Sequence, residues 1–396
     1  MSKLAINGGQ PVRTAPWPKW PQWGEGESKG LQAVLESGSW GGFNQVVRDF
    51  EAAFAQRHQA KHCFASVNGT LTLEAALRVV GVGHGDEVIV PPYTFIATAN
   101  APRLAGATPV FVDIDPNTYN LDVNLVEAAI TPRTKAIIPV HFAGLPVDLD
   151  ALLPLAEKHG IYVIEDAAHA HGSTWHGRPV GTFGHIGSFS LQASKNLTAG
   201  EGGILLTNDD ELAGKIWSYI NQGRAPEGAW YQHNMLGSNL RMTAWQAAIL
   251  LGQLERFDDQ LAQREANARR LHNILAEVEG LTPPVWDERA DHHAHHLFIM
   301  RYDPDAWQGV PRETFVNALR AEGVPLSVGY TLPLYKQPPL AEPYSRHLPS
   351  PATERACYTE GTWMHQSALL AEPEAMDDIA RAIFKVRENI QELQGA

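Results

Sequence analysis

Residues 161–172, IYVIEDAAHAHG, decide the fold class. Ile161, Tyr162, Val163 and Ile164 run into two carboxylates, Glu165 and Asp166, with His169 and His171 close behind. A strand with one wet face alternates apolar and polar residues, whereas a strand covered on both faces reads as an unbroken apolar run. Runs of this second kind recur on either side: KHCFASVNG (61–69), DEVIVPP (86–92), TPVFVDID (108–115), TKAIIPVHF (134–142), GSFSLQ (187–192) and GGILLTN (202–208). Between them lie helical patterns. LTLEAALRVVG (71–81) closes on glycine, and DLDALLPLAEKHG (148–160) opens on Asp and closes on Gly, the usual start and stop residues of helices. The alternation predicts an α/β domain with a mainly parallel central sheet.

Further along, residues 242–280 lack proline and strand signals, and their Leu and Ala spacing predicts one long helix or two joined. LTPPVW (281–286) then links to a strand at HHLFIMRY (295–302), a helix at RETFVNALRAEG (312–323), a strand around VPLSVGY (324–330) and a terminal helix, MDDIARAIFKVRENIQEL (376–393). The expected organisation is an extended N-terminal segment (1–30), a large α/β domain (31–250), and a linking helix with a small C-terminal α+β domain (251–396). Prolines 16, 18 and 21 among the tryptophans of 11–23 predict a segment lying extended across another surface.

The chain has 396 residues and a net charge of -13, with 31 Lys plus Arg against 44 Asp plus Glu. No Lys/Arg cluster suits a phosphate backbone, so neither nucleic acid nor an anionic membrane is the expected partner. Cys63 and Cys357, the two cysteines, cannot build a disulfide framework or a cysteine zinc site. With no secretory or membrane-spanning apolar run, a cytoplasmic location and small-molecule chemistry are expected.

Four segments can carry that chemistry. Asp166 stands at the carboxyl end of a buried strand, where open α/β sheets meet their ligands; its alternative is to cap a turn. Lys195, in GSFSLQASKNLTAGEGG (187–203), follows Ser188, Ser190 and Ser194 and precedes Gly200, Gly202 and Gly203. Burial turns such a lysine into a nucleophile able to form a Schiff base with pyridoxal phosphate, and Asp166 could serve the cofactor's pyridinium. SVNGTLTLEAAL (66–77) sets Asn68, Gly69, Thr70 and Thr72 at a helix start that suits a phosphate. In PPYTFIATANA (91–101), Tyr93 or Phe95 offers a face to a planar ring. No GxxxxGK[ST] or strand-linked GxGxxG is present.

Together these segments resemble the DegT/DnrJ/EryC1/StrS family of pyridoxal phosphate aminotransferases. The likeness runs through WPKWPQW, FEAAFAQRH, VNGT, PPYTFIATANA, PVHFAGLPVD, EDAAHAHG, SKNLTAGEGG, GSNLRM and GYTLPLYKQP. It implies the type I, aspartate aminotransferase-like fold and pyridoxal 5'-phosphate, cycling through pyridoxamine 5'-phosphate. By the same resemblance Lys195 is the Schiff-base lysine, Asp166 the partner of the pyridine nitrogen, and His169 a neighbour of the ring. Gly69, Thr70 and Ser190 match phosphate positions, and Phe95 the stacking aromatic. Asn239 matches a residue that reaches the phosphate of the neighbouring subunit, implying a homodimer with shared active sites. Tyr330 matches a small-domain contribution near the substrate.

Relatives with His at the lysine position catalyse dehydration or deoxygenation, so Lys195 favours the aminotransferase branch. The resemblance implies L-glutamine or L-glutamate as donor and a cyclic ketone as acceptor, a keto cyclitol such as scyllo-inosose or a keto sugar. Alternatives are a nucleotide-linked keto hexose, the dehydrating chemistry of 3-amino-5-hydroxybenzoate synthase, and a non-enzymatic regulator that would have lost Lys195 or Asp166. The cluster DHHAHH (291–296) invites a metal, but it runs into a strand pattern in which alternate histidines would diverge, so no metal site is expected.

Overall fold

In the computed structural model, residues 3–394 are described, apart from 226, 228 and 230. Seven strands follow in chain order: β1 (His62–Ser66), β2 (Glu87–Val90), β3 (Thr108–Phe111), β4 (Thr134–Ile137), β5 (Tyr162–Asp166), β6 (Ile186–Ser190) and β7 (Gly203–Thr207). They form one sheet in the order β1-β7-β6-β5-β4-β2-β3, extended at its far edge by Arg346–His347. Every pairing from β6 to that edge is parallel. β7 alone runs against its neighbours, antiparallel to both β1 and β6.

Burial explains the unbroken apolar runs. Along β2, Ile89 enters one core while Val88 and Val90 enter another; Val163 and Ile164 of β5, and Leu206 and Leu205 of β7, divide in the same way. One face is covered by helices Gln45–His58, Val123–Ala129 and Leu149–His159, the other by Gly69–Val79, Ala97–Ala105 and Asp210–Ile220. Alternate side chains point to opposite faces, so both sets had to be apolar. Asp148 caps helix Leu149–His159 through Ala151 N, and Gly160 ends it in the left-handed region.

The 242–280 stretch forms two helices, Ala244–Leu254 and Phe257–Leu275. The first packs into the large core through Ala247 and Leu250, and the second enters a separate core through Ala268, Leu271 and Leu275. That second core lies under an antiparallel sheet of Leu281–Thr282, Leu297–Tyr302, Gly361–His365 and Ser327–Val328. Helices Arg312–Ala321 and Glu374–Glu388 complete it.

Residues 11–24 have no helix or strand and lie across the C-terminal unit. Arg13 pairs with Glu372 and Asp378, each at 2.9 Å, and Trp17 Nε1 donates to the Gly323 carbonyl at 2.8 Å. Leu4 is buried in the C-terminal core itself.

Residues 292–296 correct one expectation. They precede the strand, which starts at Leu297, and His295 has a φ of 45°. That turn brings the His293 and His295 rings to 3.7 Å between centroids, closer than the roughly 6–7 Å that separates same-face neighbours along a strand. His292 pairs with Glu265, and no group of metal-ligating side chains is found among the described residues. No helix among the described residues is long and apolar enough to cross a membrane.

Candidate active site

The two carboxylates that end β5 point to opposite faces and meet different fates. Glu165 is fully buried and accepts from the backbone N–H of Gly181 (2.7 Å), Phe183 (2.7 Å) and Gly184 (2.6 Å) and from His141 Nε2 (2.9 Å). Burial opposes its charge, yet the His141 bond and those N–H groups hold its pKa below the usual range. It fastens the loop before β6. Asp166 faces the other way, accepting from Thr98 Oγ1 at 2.8 Å and from Ala168 N–H at 3.2 Å. Burial lifts its pKa above the ordinary carboxylate value, while Thr98, the Ala168 N–H and the charge of Lys195 pull the other way.

Lys195 sits in the loop joining β6 to β7, two adjacent antiparallel strands. That loop is stitched to itself: Leu191 N–H donates to Gly202 O (2.8 Å), Thr198 Oγ1 to Leu191 O (3.0 Å), and Lys195 N–H to Gln192 O (2.9 Å). Asn196 anchors it to the C-terminal unit by donating to Ala294 O at 2.6 Å. Burial brings the Lys195 ammonium down to about 8, with the Asp166 charge working against the shift. The amine is therefore partly neutral near physiological pH.

The helix start at Gly69 is held open as a cradle. Asn68 Oδ1 takes Leu71 N–H (2.9 Å) and the Asn68 carbonyl takes Thr72 N–H (3.2 Å), so the N–H groups of Gly69 and Thr70 stand at the positive end of the helix dipole. A Cβ at Gly69 would lie 2.8 Å from Ser190 Cβ, and one at Gly203 would lie 2.5 Å from the Asn68 carbonyl oxygen. Both glycines let the helix mouth close on β6 and β7, bringing Ser190 beside Gly69.

His169 is buried, and the Ala143 N–H donates to its Nδ1 at 3.3 Å. The neutral ring thus carries its proton on Nε2. Burial and the charge of Lys195 keep its pKa well below the usual value. The His296 ring lies 4.3 Å away, with Nδ1 3.1 Å from Asn196 Oδ1. Because the Asn196 amide donates elsewhere, that oxygen accepts, and His296 is neutral with a free Nε2.

Tyr330 joins an aromatic wall with Tyr93 (5.4 Å between centroids), Phe142 (6.2 Å) and Trp363 (5.0 Å). Phe142 connects this wall to His169 at 5.7 Å. Phe95 stands 57% exposed, one turn before Thr98. The structure thus gathers Asp166, Lys195 and His169, sets Gly69 and Thr70 beside Ser190, and attaches Tyr330 through Phe142. Asn239 stands apart, exposed, on a segment whose backbone pairs with Asn221. Thr98, His296 and Asn196 escaped the sequence reading. Only Thr98 left a signal, its one-turn spacing from Thr94 in PPYTFIATANA, and the two hydroxyls lie 3.1 Å apart.

A buried lysine of lowered pKa, a buried carboxylate and a helix start facing Ser190 together suit pyridoxal phosphate chemistry. The chain belongs to the DegT/DnrJ/EryC1/StrS aminotransferase family, whose model matches residues 21–384. It is 40% identical to the L-glutamine:2-deoxy-scyllo-inosose aminotransferase of Streptoalloteichus tenebrarius, over 99% of each chain. It is also 40% identical to the L-glutamine:scyllo-inosose aminotransferase of Streptomyces griseus, again over 99% of each. The crystal structure of 3-amino-5-hydroxybenzoic acid synthase superposes with a TM-score of 0.88 at 36% identity, covering 95% of this chain and all of that one. The protein is thus a pyridoxal phosphate-dependent aminotransferase. Its residues fit that cofactor: a phosphate suits the helix start where the Gly69 and Thr70 N–H groups stand beside Ser190, and buried Asp166 suits a cationic ring nitrogen.

Proposed function

We propose that this enzyme transfers the amino group of L-glutamine to a free keto cyclitol of the scyllo-inosose type, using Lys195 as its Schiff-base lysine. The lowered Lys195 opposite Asp166 carries the assignment of roles; the two 40%-identical relatives support the donor and the ketone. When bound, pyridoxal phosphate supplies an electron sink that makes the donor's Cα–H acidic. The neutral Lys195 amine would serve as the base that takes the Cα proton and, once protonated, as the acid that returns it. Asp166 holds a proton on the pyridine nitrogen, and Thr98 helps keep Asp166 charged. Gly69 and Thr70 N–H with Ser190 Oγ would hold the phosphate, Phe95 would stack on the ring, and His169 would offer its Nε2–H to the ring's oxygen.

Asn239 acts across a homodimer with shared sites. Leu236 and Phe43, 88% and 54% exposed, give that region apolar surface for a second subunit to cover. The substrate side, near Tyr330, combines aromatic faces with neutral imidazoles, a lining suited to an uncharged polyol. A nucleotide diphosphate would need free cations, yet Lys336 is held by Glu354 (2.9 Å) and Tyr358 (3.0 Å), and Arg241 lies over the Phe43 ring.

The deciding experiment follows the cofactor's visible band. L-Glutamine should bleach it, and scyllo-inosose or 2-deoxy-scyllo-inosose should restore it. Restoration only by nucleotide-linked keto hexoses would overturn the cyclitol assignment. Thr98→Val tests the support of Asp166. A hydrogen bond to a charged group is worth about 1.5–3 kcal/mol, so kcat/KM should fall roughly ten- to hundredfold with the thermal midpoint little changed. Unaltered turnover would remove Thr98 from this role.

A further inference from the structure

Arg264 in helix Phe257–Leu275 is completely buried, and among the described residues no carboxylate pairs with it. Its Nε donates to Gln366 Oε1 at 2.8 Å, but Nη1 and Nη2 are buried without an acceptor. The Trp20 ring lies 5.3 Å from its Cζ, and the buried Trp20 Nε1 also lacks an acceptor. The carbonyls on this side of the helix are engaged elsewhere: Asn267 bonds those of Leu369 and Ala371, and Gln263 that of Leu370.

The other deeply buried arginines show how this chain ordinarily meets the need. Arg312 donates to the carbonyls of Ala356, Cys357 and Gly361, and Arg13 reaches two carboxylates. Arg264 has neither solution. Burial lowers its pKa to about 9 without any opposing charge to offset the shift, so it stays cationic at neutral pH. A buried cation needs a counter-charge or a full set of acceptors. A second subunit packing on the outside cannot reach a side chain with no exposed surface.

We propose that Arg264 Nη1 and Nη2, with Trp20 Nε1, bind a small monovalent inorganic anion, chloride under ordinary conditions. The donor set carries N–H groups and no carboxylate, which selects an anion over a cation. The ion also steadies the lysine loop from behind, because Gln366 Nε2 donates to the Ser194 carbonyl at 3.4 Å, next to Lys195.

The test uses the cofactor-loaded protein. Crystals soaked in bromide should show an anomalous peak within hydrogen-bond distance of Arg264 Nη1 and Nη2. In solution the thermal midpoint should be about 2 °C or more higher in sodium chloride than in sodium gluconate of equal ionic strength, since an ion bound to the folded state raises it. Arg264→Met should erase that difference. Wild-type protein alone decides the matter if the variant does not fold. Ordered water at the guanidinium, a carboxylate turned in to meet it, or bromide in the crystal without a chloride effect in solution would each overturn the assignment.

Discussion

Lys195→Ala is expected to lose transamination by roughly 10⁴-fold or more, because the same amine both anchors the cofactor and moves the proton. The variant should retain no label after borohydride reduction in the presence of pyridoxal phosphate, whereas the wild type is labelled at this position. A variant that kept both label and turnover would sink the assignment. The pH dependence gives a second readout on cofactor-free protein. Folding lowers Lys195 from 10.5 to about 8, so between those values the unfolded chain holds the extra proton. Stability therefore rises with pH across that window, and Lys195→Ala should flatten this part of the profile. The rate at which cofactor-free wild type captures pyridoxal phosphate should rise through about pH 8, as the amine becomes neutral.

Asp166→Ala carries the second large effect. The carboxylate is 5% exposed and is held by Thr98 Oγ1 and the Ala168 N–H. Removing a preorganised group that stabilises charge in a buried site costs roughly 10²–10³-fold in turnover. Cofactor affinity should fall as well. Asp166→Asn keeps the shape and much of the bonding but cannot hold a positive ring nitrogen, so it should bind cofactor better than the alanine variant while turning over poorly. Near-normal kcat in either variant would take Asp166 out of this role. Glu165→Ala provides the contrast, since three of its bonds fasten the 181–184 loop and a fourth holds His141. Its loss should appear mainly as a lower thermal midpoint.

The sheet was legible because its strands are covered on both faces, and a strand like β2, in which Val88 and Ile89 enter different cores, has no room for polar alternation. The places of Asp166 at a strand end and of Lys195 in a glycine-flanked loop were legible for a different reason: such positions are where backbone geometry exposes side chains to a ligand. Thr98 was not, because a threonine in a helix has many uses, and only the fold puts it against Asp166. The histidines of 292–296 misled in their geometry. Their residue types suggested a continuing strand, while the positive φ at His295, a local twist with no signature in the letters, gathered two rings together. Arg264 was opaque: within REANARR it looks like one charge among several on a wet helix face, and only tertiary packing reveals that it is enclosed.

The burial of Leu4 bears on the order in which the chain can complete itself. Leu4 belongs to a core shared with Leu275, Ile383 and Leu393, so it finds its contacts only after residues far along the chain have been made. β1 waits in a similar way, since His62 pairs with Thr207. The lysine loop, by contrast, spans two neighbouring antiparallel strands and can close locally. A nascent chain would thus shape the hairpin around Lys195 while its Trp-Pro leader is still uncovered. Residues 11–23 then find the surface they lie across only once the C-terminal unit has been made.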